Sequence, residues 1–426
     1  MAAPRDRRRA DLVIGGGHLI KICDAIMGSG KSESAIHYMN TNPDKPFVYI
    51  TPYLDEATRI RDGCPDRIFF EPQDTLKDFS FSKLEHTRYL LKAGVNIATT
   101  HAAFRSYTVD MLDAITEHGY TLIVDEAVEV FREAEYNTGD IQVLEEAGYI
   151  VKSDEICGYV CTGKEYTGSR LRDLFDMLRC QNLIPVEKPK GGVQYYYWSI
   201  PSDVLAAFPE TIVLTYLFEA QEFSYFMKMN GFEYKYIGIH YEDGVYSFAD
   251  EPDYIPPYVG DIASKLHIFY NSKLNSVGRN RNSLSSNWLK SHKDEKATLK
   301  KNIYNFVRWH NKSKGSDVMW STFKGNIKSL QGKGYTNGFV PFNKKATNEY
   351  MDKTVLAYCV NVFASPQKVK FFRKFGVTYN EDGFALSNMI QWIWRSAIRN
   401  GEDVTIYIPS RRMRELLEKW IQEVSA

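Results

Sequence analysis

The sequence predicts an α/β protein made of two halves, each a parallel sheet covered by helices, with a subdomain inserted into the first. Three observations predict it. Short β-rich runs alternate with helical patterns from residue 18 to about 135, a second such series runs from residue 267 onward, and the proline-rich stretch Glu251-Pro252-Asp253-Tyr254-Ile255-Pro256-Pro257 stands between them. At 426 residues the chain exceeds the size at which a single hydrophobic core keeps growing, so more than one domain is expected.

Strands of the first half, residues 18–250, are expected at 20–25, 47–50, 96–99 and 121–124. They are nearly all apolar, as strands covered on both faces must be. Segments of helical period at 33–39, 83–92 and 108–117 lie between them. From about 136 to 205 glycine, lysine, tyrosine and short polar segments interrupt the alternation, and a strand resumes at 211–215. That interval is longer than an ordinary connection between a strand and the next unit, which marks an insertion. Its run Tyr195-Tyr196-Tyr197-Trp198 reads as a hairpin burying alternate aromatics in preference to a base-stacking surface.

A linker is expected at 251–260 and a second domain at 261–426. Its strands are expected at 267–270, 317–320, 338–342 and 404–408, and its helices at 296–309, 353–361, 385–399 and 411–424. Residues 1–17 carry Arg5, Arg7, Arg8 and Arg9 without the apolar core and cleavage site of a secretory signal, and read as a flexible basic arm.

With 44% hydrophobic and 25% charged residues the composition is that of an ordinary globular protein. No run approaches the roughly 18 apolar residues of a membrane helix, so no membrane partner is expected. Lys plus Arg equals Asp plus Glu, 53 against 53, so any contact with a polyanion must come from a local groove. The cysteines at 23, 64, 157, 161, 180 and 359 are too sparse for a disulfide scaffold. Cys157, Cys161 and Cys180 lack a nearby fourth ligand and read as thiols, with no zinc.

The most informative segment follows the first strand. In Asp24-Ala25-Ile26-Met27-Gly28-Ser29-Gly30-Lys31-Ser32, glycines at 28 and 30 allow a tight turn whose N–H groups can face phosphate oxygens at the start of a helix. Gly28, Ser29, Gly30, Lys31 and Ser32 would hold ATP, Lys31 neutralising phosphate charge and Ser32 ligating Mg²⁺. Asp125 and Glu126 close the apolar run 121–124, where Asp125 would hold Mg²⁺ and Glu126 would polarise the attacking water. Gln391, Arg395 and Arg399 recur every four residues, so on one helix they share a face suited to a γ-phosphate. Thr51-Pro52-Tyr53 and Thr99-Thr100-His101 follow two of the strands and can hold a sugar-phosphate backbone.

This order of segments resembles the superfamily 2 helicases and translocases, from about residue 18 to the end. Gly28 to Ser32 matches motif I, Thr51-Pro52-Tyr53 motif Ia, Thr99-Thr100-His101 motif Ib, and Asp125-Glu126 motif II. Leu214-Thr215-Tyr216 lies at motif III, Ile268 to Ser272 resembles motif IV, Asn343 to Glu349 sits at motif V, and Gln391 to Arg399 looks like motif VI. Ala25 stands where motif I usually opens with glycine. The C-terminal segment, with Ala346 to Tyr350 and Ile408 to Arg414, looks like helicase-like proteins of bacteriophages and prophages.

The resemblance implies two RecA-like domains, ATP and Mg²⁺ as ligands, and Lys31, Asp125, Glu126, Gln391, Arg395 and Arg399 as catalytic residues. It places nucleic acid on Thr51, Pro52, Tyr53, Thr99, Thr100, His101, Ser272, Asn343, Thr347 and Asn348. The activity implied is nucleic-acid-dependent ATP hydrolysis driving movement along DNA or its unwinding, with RNA second. The substrate would be single-stranded or a duplex with a junction, the partners replication or recombination proteins, and the location the cytoplasm of a bacterial host. Competing readings are a double-strand translocase, a packaging-type motor, and a binding module that has lost hydrolysis.

Overall fold

The computed structural model describes residues 18–74, 82–154, 158–188, 192–251, 254–343 and 349–425. The basic arm, Cys157 and two of the expected nucleic-acid contacts, Thr347 and Asn348, lie outside the described residues. The chain forms two compact units, one chiefly of residues up to Tyr254 and the other chiefly of residues from Ile255 on. Both are α/β.

The first unit is built on β1 (Leu19–Asp24), β2 (Phe47–Thr51), β3 (Phe69–Phe70), β4 (Asn96–Thr100) and β5 (Thr121–Asp125). An insertion then supplies β6 (Phe131–Ala134), β7 (Ile150–Ser153), β8 (Gly158–Cys161), β9 (Asn182–Glu187) and β10 (Val193–Ser199). The main sheet resumes with β11 (Glu210–Thr215), β12 (Tyr234–Glu242) and β13 (Val245–Ala249). Its order is β13-β12-β1-β11-β5-β2-β4-β3, parallel throughout except for the antiparallel edge pair β12–β13.

The register of this sheet positions the site. Leu214 of β11 lies opposite both Cys23 of β1 and Asp125 of β5, so the C-terminal ends of β1 and β5 flank one intervening strand. At ordinary strand spacing that puts them about 10 Å apart. The sheet is dry on the face of helix Lys31–Thr41, where Cys23, Ala35, Met39, Tyr49, Ile123 and Leu214 belong to one core. At the opposite end, Glu210 accepts from Lys21 at 2.7 Å, Lys45 at 2.9 Å and Tyr38 at 2.7 Å. Burial pushes this carboxyl up, but those three partners outweigh it and hold it down to about 2.

The inserted sheet is antiparallel, in the order β6-β10-β9-β8-β7, around a core of Ile141, Leu144, Leu174, Leu178 and Trp198. The expectation of alternating aromatics is corrected here, because Tyr196, Tyr197 and Trp198 are all buried. β10 is a central strand, paired with β9 and β6, and both of its faces are covered.

In the second unit β14 (Leu266–Phe269), β15 (Val318–Ser321), β16 (Val355–Tyr358) and β17 (Val404–Tyr407) form a parallel sheet of order β14-β17-β16-β15. Three expectations change. The segment 353–361 contains the strand β16 where a helix was expected, because Val355 to Val360 is a continuous apolar run buried on every side, and such a run carries no period to decide between helix and strand. The strand expected at 338–342 is a short turn, Thr336–Gly338, followed by a single bridge from Phe339 to Trp320. A Cβ at Gly338 would stand 2.1 Å from the carbonyl oxygen of Val318, so the backbones touch there without a full ladder.

The third change bears on chemistry. The helix expected over 385–399 runs Glu381–Ile393 and stops. Ser396 Oγ donates to Ile393 O at 2.6 Å, and Ala397 N is captured by Lys353 O at 3.0 Å, which turns the chain into a 3-10 segment at Ala397–Asn400. Gln391, Arg395 and Arg399 therefore do not share one helical face.

Candidate active site

After β1 the chain turns through Ile26–Gly30 into helix Lys31–Thr41. Gly28 at φ +81° and Gly30 at φ +90° occupy the left-handed region, where an L side chain is strained. Gly30 is needed twice over, because a Cβ there would stand 2.2 Å from Cδ1 of Tyr246 on β13. The Gly30 carbonyl accepts from Ser34 N at 2.8 Å, opening the helix, whose first N–H groups have no partner within it. An N-terminus of this kind, behind a glycine turn, is an anion cradle.

Lys31 is half-buried, and its Nζ donates to the carbonyl of Ala25. Burial lowers its pKa, opposed by the negative charge of Asp125, Asp24 and Glu126, among others. Ser29 is buried, with no hydrogen-bond partner for its hydroxyl among the described residues, and Ser32 is half-buried at the first turn.

β5 delivers Asp125, whose Oδ2 accepts from Tyr49 Oη of β2 at 3.0 Å. Burial, reinforced by Glu126, pushes the Asp125 carboxyl up to about 7, against the pull of Tyr49 and Lys31. A neighbouring cation in addition to Lys31 would favour the charged form of this carboxyl. Glu126 lies at φ +58°, a conformation costing a non-glycine residue about 1–2 kcal/mol, and its N–H bonds Leu214 O at 2.9 Å. Backbone strain of this kind gathers at functional sites.

Neighbouring loops are wired to the same place. His101 Nε2 is 2.9 Å from the carbonyl oxygen of Asp125. Thr215 O accepts from Ala25 N at 3.0 Å, Thr215 Oγ1 donates to Gln221 Oε1 at 3.0 Å, and Gln221 Nε2 donates to Tyr216 O at 2.7 Å. Asp24 Oδ2 accepts from Phe218 N at 3.0 Å, while its Oδ1 is buried with no hydrogen-bond partner among the described residues; burial raises its pKa.

The structure thus brings Lys31, Asp125 and Glu126 into electrostatic reach of one another. Of the expected nucleic-acid contacts, Thr51, Thr99 and His101 are buried, and Thr100 caps the short helix His101–Phe104 by accepting from Ala103 N at 3.3 Å. Tyr53 is exposed and Pro52 half-buried. In the second unit Ser272, Asn343 and Arg399 are exposed, Gln391 is half-buried and Arg395 is buried. Sequence reasoning missed Asp24, Tyr49, Gln221 and Tyr246. Two had a signal: an acid closing β1 just before the glycines, and a phenol inside the apolar run 47–50. Gln221 and Tyr246 had none: the turn after β11 places Gln221, and strand pairing at the sheet edge places Tyr246.

Known proteins give the chain a family. The family model described as the YonV C-terminal Rossmann-like domain matches residues 260–421. The SPbeta prophage-derived uncharacterized protein YonV of Bacillus subtilis (strain 168) is 37% identical over 412 residues, covering 95% of this chain and 98% of that one. The chain belongs to the YonV family. The Rossmann-like match of YonV falls on β14–β17, whereas the glycine loop and the two carboxylates lie in the preceding half of this YonV-family chain. Solved structures similar to this YonV-family protein include apo XPD, at 11% identity and TM-score 0.48 over 98% of both chains, and Xpd4 of S. tokodaii, at 11% and 0.48 over 97% of this chain and 96% of that one. Among the described residues no helix is long and apolar enough to cross a membrane.

Proposed function

We propose that this protein hydrolyses ATP to drive movement along, or unwinding of, DNA in a bacterial host's cytoplasm, as a motor of the superfamily 2 type. One observation carries the reading. At the C-terminal edge of a parallel sheet, a left-handed glycine turn with Lys31 and the pair Asp125-Glu126, its Glu126 also left-handed, end two strands that flank a third.

The residues fit a magnesium nucleotide. The glycine turn has no room for a Cβ at Gly30, the Ser29 hydroxyl has no hydrogen-bond partner among the described residues, and Asp125 is a carboxyl that burial and Glu126 hold up against the pull of Lys31, so a further cation would favour its charged form. Ser32 and Asp125 would hold Mg²⁺, which when bound supplies positive charge to the phosphate oxygens. Lys31 exchanges the Ala25 carbonyl for phosphate oxygens, and the loop N–H groups donate to the same oxygens. Tyr49 keeps the Asp125 carboxylate oriented. Glu126 accepts a proton from the attacking water as its oxygen bonds the γ-phosphorus and the bond to the bridging β-γ oxygen breaks. Thr215 and His101, bonded to Ala25 and to Asp125, supply a route from these loops to the ATP state.

The test is steady-state ATP hydrolysis with no nucleic acid and with single-stranded DNA, duplex DNA or RNA, for the wild type, Lys31→Ala and Glu126→Gln. Hydrolysis that is stimulated by DNA and lost in both variants is expected; unchanged hydrolysis in Lys31→Ala defeats the assignment. Arg395→Ala and Arg399→Ala, assayed in parallel, test whether either arginine takes part in hydrolysis: a loss in kcat of at least about 10³-fold with ATP binding retained assigns it, and wild-type kcat in both removes the pair from the reading.

A further inference from the structure

The second unit carries a groove of about 650 Å³ lined by Lys293, Lys296, Lys300, Lys301, Lys333 and Tyr304, among others, and among the described residues no carboxylate lines it. In a chain whose acids and bases balance at 53 each, five cations around one groove are a local concentration that composition does not predict. Four of them lie on helix Lys293–Asn305 at helical spacing, which sets them along adjacent stripes of one face. From Lys293 to Lys300 the helix rises about 10 Å, so the charges form a line. Lys333 faces them from the segment after Leu330.

Four of the lysines, at 293, 300, 301 and 333, are exposed, while the half-buried Lys296 donates to the neutral Asn326 Oδ1 at 3.3 Å. Among the described residues none of the five pairs with a carboxylate. Like charges held this close repel and weaken a helix, so the array costs stability unless an anion lies along it. A linear polyanion answers a line of ammonium groups, and a half-buried tyrosine among them offers a ring on which a base can stack.

We propose that this groove grips the phosphodiester backbone of a single-stranded nucleic acid, with Tyr304 as a stacking surface; none of its lining residues is among the nucleic-acid contacts that the sequence implies. It rests on the reading of the chain as a nucleic-acid motor. Compact ammonium groups on flexible stems neutralise phosphates without reading bases, so the grip is independent of sequence.

The test compares the full-length wild type with Lys293→Ala/Lys300→Ala/Lys301→Ala and with Lys300→Glu/Lys301→Glu. Binding of fluorescein-labelled oligo-dT and oligo-U is measured by anisotropy across a salt series, with thermal melting and ATP hydrolysis in the absence of nucleic acid as controls. Expected are at least tenfold weaker binding of one or both oligonucleotides and a salt slope smaller by about 2 in the triple variant, at about 0.7 for each phosphate no longer neutralised. Melting should hold or rise, because the exposed side chains bear on no core and their removal relieves like-charge repulsion, and unstimulated hydrolysis should hold. Wild-type affinity and slope in both variants overturn the groove while leaving the motor reading intact. Competition by poly-glutamate as strong as by oligonucleotide assigns the groove to an acidic protein segment and also overturns it. A wild type that binds neither oligonucleotide overturns the groove, and the motor reading is then decided by duplex DNA in the hydrolysis assay.

Discussion

Tyr49 donates its phenolic hydrogen to Oδ2 of Asp125 across 3.0 Å, joining the middle of β2 to the end of the neighbouring β5. The phenol is buried and the carboxylate half-buried, and the bond is one of the two influences that stabilise the charged form of Asp125. Hydrogen bonds to a charged group contribute about 1.5–3 kcal/mol. Tyr49→Phe should therefore raise the Asp125 pKa further, move the acidic limb of the ATP hydrolysis profile to higher pH, and change KM little. An acidic limb at its wild-type position would show that Tyr49 only fills space.

The raised carboxyl of Asp125 also predicts how stability varies with pH. Its value is about 7 in the folded chain against 3.8 ordinarily, so between those values the folded state holds a proton that the unfolded state releases. That contribution is complete below about pH 4 and is lost as pH rises through about 7. In EDTA and without nucleotide, the melting temperature of the wild type should fall relative to Asp125→Asn between about pH 5 and pH 8. Glu210, held near 2, acts in the opposite sense but at lower pH, outside that window. Parallel melting curves for the two proteins would contradict the prediction.

Gly30 and Tyr246 give a steric prediction. Gly30→Ala meets both a left-handed φ and a ring 2.2 Å from the new Cβ, so it should lower the melting temperature and weaken ATP binding at least tenfold. Gly30→Ala/Tyr246→Ala should recover part of the stability, leaving about 1 kcal/mol of backbone strain. Additive losses in the double variant would mean that ring and loop do not press on each other.

Arg412 is expected to act on stability alone. Its guanidinium is buried and donates to Asp382 Oδ1 at 2.8 and 2.6 Å, Asn361 Oδ1 at 2.9 Å, Val362 O at 2.7 Å and Glu381 O at 3.2 Å. Arg412→Ala leaves those acceptors unmatched and should cost about 2–4 kcal/mol, with Arg412→Lys recovering little because an ammonium lacks the planar fork. Denaturant unfolding reads the loss, and ATP affinity per folded molecule should be unchanged. Weakened ATP affinity would place Arg412 in the functional machinery.

Read as sequence alone, the chain already specifies the class of its fold and the local half of its candidate site. The glycines at 28 and 30, the lysine that follows, and the acids closing a valine-ended strand are legible because each chemistry is local: a turn needs glycine, and a strand end exposes the next side chain. Strands at the start of both halves are legible for the same reason.

What depends on distant partners was not legible. β16 looks helical until both its faces are seen to be covered, and the helix Glu381–Ile393 stops where Ser396 and Lys353 capture its end, which separates Arg395 and Arg399 from the face of Gln391. Tyr49 reaches Asp125 through sheet register, Tyr246 reaches Gly30 because β13 folds back at the sheet edge, and the lysine groove closes when Lys333 comes to face a helix begun forty residues earlier. Local sequence sets which conformations a segment can adopt and which groups it presents; packing and pairing across the fold decide which are adopted and which groups meet.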